Sequence, residues 1–226
     1  MAGTDARKLS VVLRKRVGEA VEVCDSAGSA FAGTLVALDA ARATVRLDEV
    51  VAAARGVGLE ITLAQAVPKG TKMDFVVEKA TELGVRRIVP VVTERTLGAA
   101  ERAGKTERWR RLARSAAAQC GRRDVPGVDA PIAWEALGAY AREAELALLP
   151  WELAAPLPLR DALPGLLSGI RRVLVAIGPE GGFSHDEVDE ARSWGARPIS
   201  FGTRILRTET AGLVACSVLL YAAGEL

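Results

Sequence analysis

The run Val173–Gly182, VLVAIGPEGG, constrains the fold more than any other part of the chain. Five apolar residues end in a glycine-rich turn, and Ser184 and Glu187 then form the Ser-x-x-Glu pattern of a helix capping box. That is a strand turning directly into a helix. In open parallel sheets, ligands bind beyond the carboxyl ends of the strands. Glycines at 178, 181 and 182 let backbone approach a ligand closely, and Pro179 stiffens the turn. The loop is neither a Walker A sequence nor GxGxxG, because the spacing and the Lys-Ser/Thr pair are missing. By itself it fits a tight strand-to-helix turn as well as a ligand site.

The rest of the second half repeats this alternation. Met73, Val76, Val77, Ala80 and Leu83 fall at helical spacing, and Gly84 is a stop. Arg87–Val92 reads as a buried strand. A helix over Glu107–Ala118 places Trp109, Leu112, Ala113 and Ala116 on one face. Strands are expected at Glu145–Leu149, Arg172–Ile177 and Pro198–Phe201, with helices from Ser184 to about Ser193 and from Thr208 to Ala222. Strands alternating with helices predict an α/β domain with a largely parallel sheet. The Pro- and Leu-rich stretch Pro150–Pro164 reads as a loop inside that domain.

The first part is different. Short strands at Ala20–Cys24, Ala30–Leu38, Ala43–Leu47 and Gly58–Ala64, with a turn signal at Asp25–Gly28, suggest a small β-barrel. The pattern changes near Pro68, so the expected domains are 1–67 and 68–226.

Half of the 226 residues are hydrophobic, enough for a real core. The net charge of +2 does not exclude RNA binding, because a local basic face matters more than the total. Cys24, Cys120 and Cys216 form no CxxC pair, which argues against zinc and for reduced thiols. The opening MAGTDARKLSVVLRKR has no uninterrupted apolar segment of the secretory kind, and the apolar stretch from Gly212 to Ala223 is too short to span a bilayer. A cytoplasmic protein that meets neither membrane nor metal is expected.

A second loop, Ser200–Ala211 (SFGTRILRTETA), follows another expected strand. Arg204 and Arg207 fit ordinary surface charge, and Glu209 fits compensation of the helix dipole. Two such loops after two strands nevertheless make a better pocket than either alone.

GPEGGFS followed by SFGTRILRTETA resembles the RsmE family, SPOUT-class enzymes that methylate N3 of a uridine (conventionally 1498) near the 3′ end of 16S rRNA. Three upstream segments are similar to the family in the same order: Val12–Asp25 (VLRKRVGEAVEVCD), Lys79–Thr96 (KATELGVRRIVPVVTERT) and Ala116–Pro126 (AAAQCGRRDVP). The family's histidine a few residues before VLR is missing, since Ala6-Arg7-Lys8-Leu9 stands there, and Phe201 replaces a common leucine. Arg7 or Lys8 could still meet a phosphate.

The resemblance implies an N-terminal PUA-like β-barrel and a C-terminal SPOUT α/β domain with a deep trefoil knot, acting as a homodimer on 16S rRNA within the small ribosomal subunit. It implies an S-adenosyl-L-methionine (SAM) site formed by Leu149, Ile177, Gly178, Gly181, Gly182, Phe201, Gly202, Ile205, Leu206 and Thr208. Arg207 would stabilise the uracil anion, and Glu209 would accept its proton or orient Arg207. Arg14, Arg16 and Arg122 would contact RNA. A methyltransferase of the same class with another RNA target is an alternative, and so is a non-catalytic RNA-binding assembly protein.

Other residues have simpler readings. His185, the single histidine, sits just past a helix cap, where exposure is ordinary. Cys120 is expected as a small buried residue. Trp109, Trp134, Trp151 and Trp194 suit packing better than base stacking. Arg14-Lys15-Arg16 fits a phosphate track or an exposed charged turn equally. Lys72, Glu78 and Lys79 read as a solvated helix face.

Overall fold

A computed structural model of the chain describes residues 3–25, 30–51, 58–96, 104–154, 163 and 165–226. The chain divides into two compact units, Met1–Gly56 and Val57–Leu226.

In the first unit a short helix α1 (Thr4–Arg7) runs into a π-helical turn (Lys8–Val12). Strands β1 (Ala20–Cys24), β2 (Ala30–Leu38) and β3 (Ala43–Val51) form an antiparallel sheet in chain order. The β2–β3 turn is closed by Asp39, whose Oδ1 accepts the amides of Ala41 and Arg42 at 2.7 and 2.8 Å. Those two bonds stabilise the carboxylate and hold its pKa below the ordinary value. The core is small: Ala6, Leu35 and Ala43 are buried, with Leu9, Val21, Leu38 and Val45 packed around them. The expected turn at Asp25–Gly28 lies, apart from Asp25, outside the described residues.

The fourth strand expected in this unit belongs to the other. β4 (Glu60–Ala66) lies inside a seven-stranded sheet of order β10-β8-β9-β4-β5-β6, with β7 also on β5. The boundary therefore falls near residue 56, not 67. The physical reason is burial on both faces. Leu59, Ile61 and Leu63 enter one core while Ala64 enters the other, and Gln65 is fully buried. A barrel strand with one wet face would not bury this sequence, whereas a covered parallel sheet does.

All pairings in this sheet are parallel. Its other strands are β5 (Arg87–Val92), β6 (Gly127–Val128), β7 (Ile132–Ala133), β8 (Leu146–Pro150), β9 (Arg172–Ile177) and β10 (Arg197–Ile199). Helices α2 (Lys72–Glu82), α3 (Thr106–Cys120) and α6 (Thr208–Ala222) cover one face, and α4 (Leu137–Glu143) and α5 (His185–Ser193) the other. Side chains of β9 alternate between the layers: Val173, Val175 and Ile177 on one side, Leu174 and Ala176 on the other. Each valine, leucine or isoleucine among them contributes roughly 1.5–3 kcal/mol by leaving water. β9 comes late in the chain yet sits between β4 and β8, so the strand order reverses there. The loop after β9 is thus carried to a switch point of the sheet, where ligand clefts form.

Of the Pro150–Pro164 stretch, residues 155–162 and 164 lie outside the described residues.

Candidate active site

Beyond the carboxyl ends of β8 and β9 lies a cleft of about 310 Å³. Ile177, Gly178 and Gly182 line it from the first glycine loop, and Ile205, Leu206, Arg207 and Thr208 from the second. Pro150 and Glu152 line it after β8, and Lys72 from the start of α2.

Thr208 joins the loops. Its hydroxyl donates to the Gly178 carbonyl at 2.5 Å and accepts from Gln65 Nε2 at 2.8 Å. Thr208 and Gln65 are both buried. The threonine proton is therefore used internally, and Thr208 acts on the cleft by fixing its two walls. Among the described residues Gln65 Oε1 has no hydrogen-bond partner, and it faces α6 at Gly212. A Cβ at position 212 would stand 2.9 Å from that oxygen and 3.4 Å from the Leu63 side chain. Glycine there lets α6 pack directly on β4.

The segment after β5 braces the first loop from outside. Arg95 Nη1 donates to the Gly181 carbonyl at 2.7 Å, and the Glu94 amide donates to Glu187 Oε1 at 2.8 Å. Glu187 also completes the expected capping box: its Oε2 accepts the Ser184 amide at 2.9 Å, and its own amide donates to Ser184 Oγ at 3.3 Å.

Lys72 is not on a solvated face. It starts α2 a few residues beyond the carboxyl end of β4, which aims it into the cleft. Its ammonium stands 3.4 Å from Glu180 Oε1 and 3.2 Å from Glu209 Oε2, the latter an ion pair without hydrogen-bond geometry. Glu180 Oε1 also accepts the Lys69 amide at 3.0 Å. Burial pushes the Glu180 carboxyl up, but the Lys69 amide and the Lys72 ammonium together outweigh it, so its pKa lies below the ordinary value. Glu78 and Lys79 do pair on the surface, and Lys79 also meets Glu82 at 2.8 Å.

Arg207 is the N-cap of α6, in extended backbone, and its side chain is exposed. Among the described residues it makes no side-chain hydrogen bond or ion pair. Glu209 therefore does not orient it.

The expected cofactor-site residues Leu149, Gly181, Phe201 and Gly202 lie off the cleft lining. Leu149 is fully buried among Trp151 and Phe183, and Phe201 packs with Leu148, Val175 and Ile199 in the core. Gly202 is exposed, and Gly181 is held by Arg95. Ile205 lines the cleft but is 87% exposed, so it stands at the mouth rather than as an inner wall. Arg122 is engaged within the protein. Its Nη1 donates to the Thr81 carbonyl at 2.9 Å, and its Nε and Nη2 grip Asp124 at 3.0 and 2.8 Å. It ties the end of α2 to the segment after α3 instead of offering itself to RNA. In the first unit Arg14 and Arg16 are exposed, Arg14 with φ +49°, while Lys15 pairs with Glu19 at 3.1 Å.

His185 is exposed at the start of α5, edge-on to Trp151. Trp109, Trp134 and Trp151 are buried and Trp194 is half-buried, as packing residues should be. Cys120 is exposed, contrary to expectation, because it falls on the last residue of α3, where the helix leaves the sheet. Cys216 is fully buried, which pushes its thiol up to about 12. Among the described residues no acidic, His or Cys cluster could hold a metal ion, and no helix is long and apolar enough to cross a membrane.

A second cleft, of about 420 Å³, lies at the amino ends of β4, β5 and β9. Arg87 pairs with Asp129 at 2.9 Å and stacks on Tyr140, Arg172 meets Glu145 at 3.5 Å, and Arg86 meets Asp124 at 3.5 Å. It is larger, but each of its arginines has an acidic partner.

Sequence and structure comparisons show the family. Residues 57–220 match the RNA methyltransferase domain family. Ribosomal RNA small subunit methyltransferase E of Synechocystis sp. is 34% identical over 213 residues, covering 92% of this chain and 67% of that protein. The protein of the same name from Bacillus subtilis is 26% identical over 227 residues, covering 98% and 89%. The crystal structure of ribosomal RNA small subunit methyltransferase E from Neisseria gonorrhoeae, bound to SAM, is 32% identical with a TM-score of 0.81, covering 98% of this chain and 90% of that one. A whole-length likeness in sequence and fold, together with a family match over most of the α/β unit, places this chain in the RsmE family of RNA methyltransferases.

Proposed function

We propose that the protein transfers a methyl group from SAM to N3 of one uridine of 16S rRNA in the small ribosomal subunit. The observation that carries this reading is Arg207: an exposed guanidinium, unpaired among the described residues, at the rim of a glycine-lined cleft, on a loop that the first glycine loop fixes through Thr208.

The cleft suits the cofactor. Gly178 and Gly182 line the cleft with backbone, and Ile177, Leu206 and Phe183 offer apolar surface for an adenine. When bound, SAM supplies a methyl group already activated by its sulfonium charge. The chain supplies the rest. N3 of uracil carries a proton and is a poor nucleophile until that proton leaves. It also lies on the pairing edge, so the base must be unpaired. Arg207 favours the uracil anion by placing fixed positive charge beside its oxygens. Lys72 and Glu209 neutralise one another and hold α2 against α6, which leaves Arg207 as the cation that meets substrate.

Arg14 and Arg16 contact the RNA backbone from the first unit, which we take as a PUA-like fold built on its three-stranded sheet. Their exposure supports this role. The insertion of β9 between β4 and β8 supports the knotted SPOUT topology, and the family supports a homodimer and a cytoplasmic setting.

The test is a deletion strain. N3 methylation blocks the Watson–Crick edge, so reverse transcriptase stalls at the modified uridine. Loss of one such stall in 16S rRNA is expected; an unchanged stall pattern rejects the target.

A further inference from the structure

Four charged side chains line the carboxyl-end cleft: Lys72, Glu152, Glu180 and Arg207. Lys72 and Glu180 are paired with each other. Arg207 is accounted for by the uracil. Glu152 is exposed and, among the described residues, makes no hydrogen bond or ion pair. It is a carboxylate held at a ligand cleft with nothing to hold.

Its position is set by the fold. Glu152 lies two residues beyond the end of β8, the strand that pairs in parallel with β9. The glycine loop that follows β9 comes back against it. A Cβ at Gly182 would stand 2.5 Å from Glu152 Oε1, and Gly182 has φ +68°. The positive φ favours glycine at position 182, and the close approach seats the carboxylate against bare backbone. An acidic side chain beyond one strand, beside a glycine loop beyond the neighbouring strand, is the arrangement that takes ribose hydroxyls in nucleotide-binding parallel sheets.

We propose that Glu152 is the ribose-binding residue of this site, accepting both hydroxyls of the adenosine 2′,3′-diol. An ionised carboxylate has only acceptors, and two of its lone-pair directions match two adjacent O–H donors. The cofactor's own carboxylate is repelled from this wall and directed away from Glu152. The inference rests on SAM being the cofactor.

The experiment is calorimetry on the full chain with S-adenosylhomocysteine and its 2′-deoxyadenosyl counterpart. Wild type binds the ribose form more tightly, by about tenfold or more, as expected for a hydrogen bond to a charged group. Glu152→Ala weakens S-adenosylhomocysteine about 10- to 100-fold and brings the two ligands to within about threefold of each other. Glu152→Gln, which keeps the shape, retains the fold by circular dichroism and shows a reduced preference; it serves as the readout if the alanine variant does not fold. A ribose preference that survives in the variants overturns the assignment, and so does unchanged affinity for S-adenosylhomocysteine. Wild type that binds neither ligand overturns the cofactor reading itself, and this inference with it.

Discussion

The two clefts of the parallel sheet are similar in kind and differ in how their arginines are held. At the amino ends, Arg86, Arg87 and Arg172 are each matched to an acidic group. At the carboxyl ends, Arg207 and Glu152 are matched to nothing among the described residues, although Lys72, Glu180 and Glu209 close a network beside them. Glu60 and Glu143 also line the larger cleft without a partner among the described residues, but every arginine in it is held within the protein. The smaller cleft keeps one cation and one anion for a ligand. Volume does not separate a site from a crevice here; an arginine left without an acidic partner does.

That contrast can be broken most easily at its two arginines. Arg207→Ala is expected to lower methyl transfer to small subunits about 100- to 1,000-fold, the usual effect of removing a preorganised charge from a developing anion. Affinity for S-adenosylhomocysteine should change by only a few fold. Equal loss in both measurements moves Arg207 from catalysis to cofactor binding. Thr208→Val comes next. It leaves the Gly178 carbonyl without its partner and deprives Gln65 Nε2 of one of two acceptors, both in buried surroundings. Urea unfolding should show a loss of about 2–3 kcal/mol. Stability within about 0.5 kcal/mol of wild type contradicts the role of Thr208 as the tie between the loops.

Arg87→Ala tests the other cleft. It removes a partly exposed ion pair and a stacking contact on Tyr140. The expected cost is about 1 kcal/mol or less, with ligand affinity unchanged. A tenfold loss of affinity there erases the distinction between the clefts. The smallest effect is that of pH. The Glu180 carboxyl is held below its ordinary value. Its contacts with the Lys69 amide and Lys72 are therefore complete at pH values above the unfolded pKa, and they fail only as pH falls through the lower folded pKa. Titration calorimetry should find S-adenosylhomocysteine affinity steady from neutral pH down to the ordinary glutamate value, about 4.3, and weakening by a few fold only below it. Weakening centred above that value assigns the effect to another group.

Much of this was legible in the residues. The run VLVAI and the Ser184–Glu187 box each allow one local structure, and both formed as read. The strand Gly58–Ala64 was legible as a strand but not as to its sheet. Its apolar residues fit either a half-wet barrel or a covered parallel sheet, and only burial on both faces decides. Charged residues were the least legible. Lys72 and Arg122 look like any surface cation in a list of residues. One is aimed into the cleft by the β4–α2 connection, and the other is gripped by Asp124 and the end of α2. Glu152 carried no signal, because its meaning comes from β8 and β9 lying side by side. The one available hint was its place two residues after the apolar strand LALLP.

The central claim is that ligand binds at the cleft whose arginine is left unpaired. Amide hydrogen exchange with and without S-adenosylhomocysteine tests it in a single experiment, because peptides from both clefts are read together. The account expects protection in the segments containing Gly178–Gly182 and Ile205–Ala211, and none in those containing Arg86–Arg87 and Tyr140–Ala144. Protection confined to the amino-end cleft, or absent from both glycine loops, contradicts it.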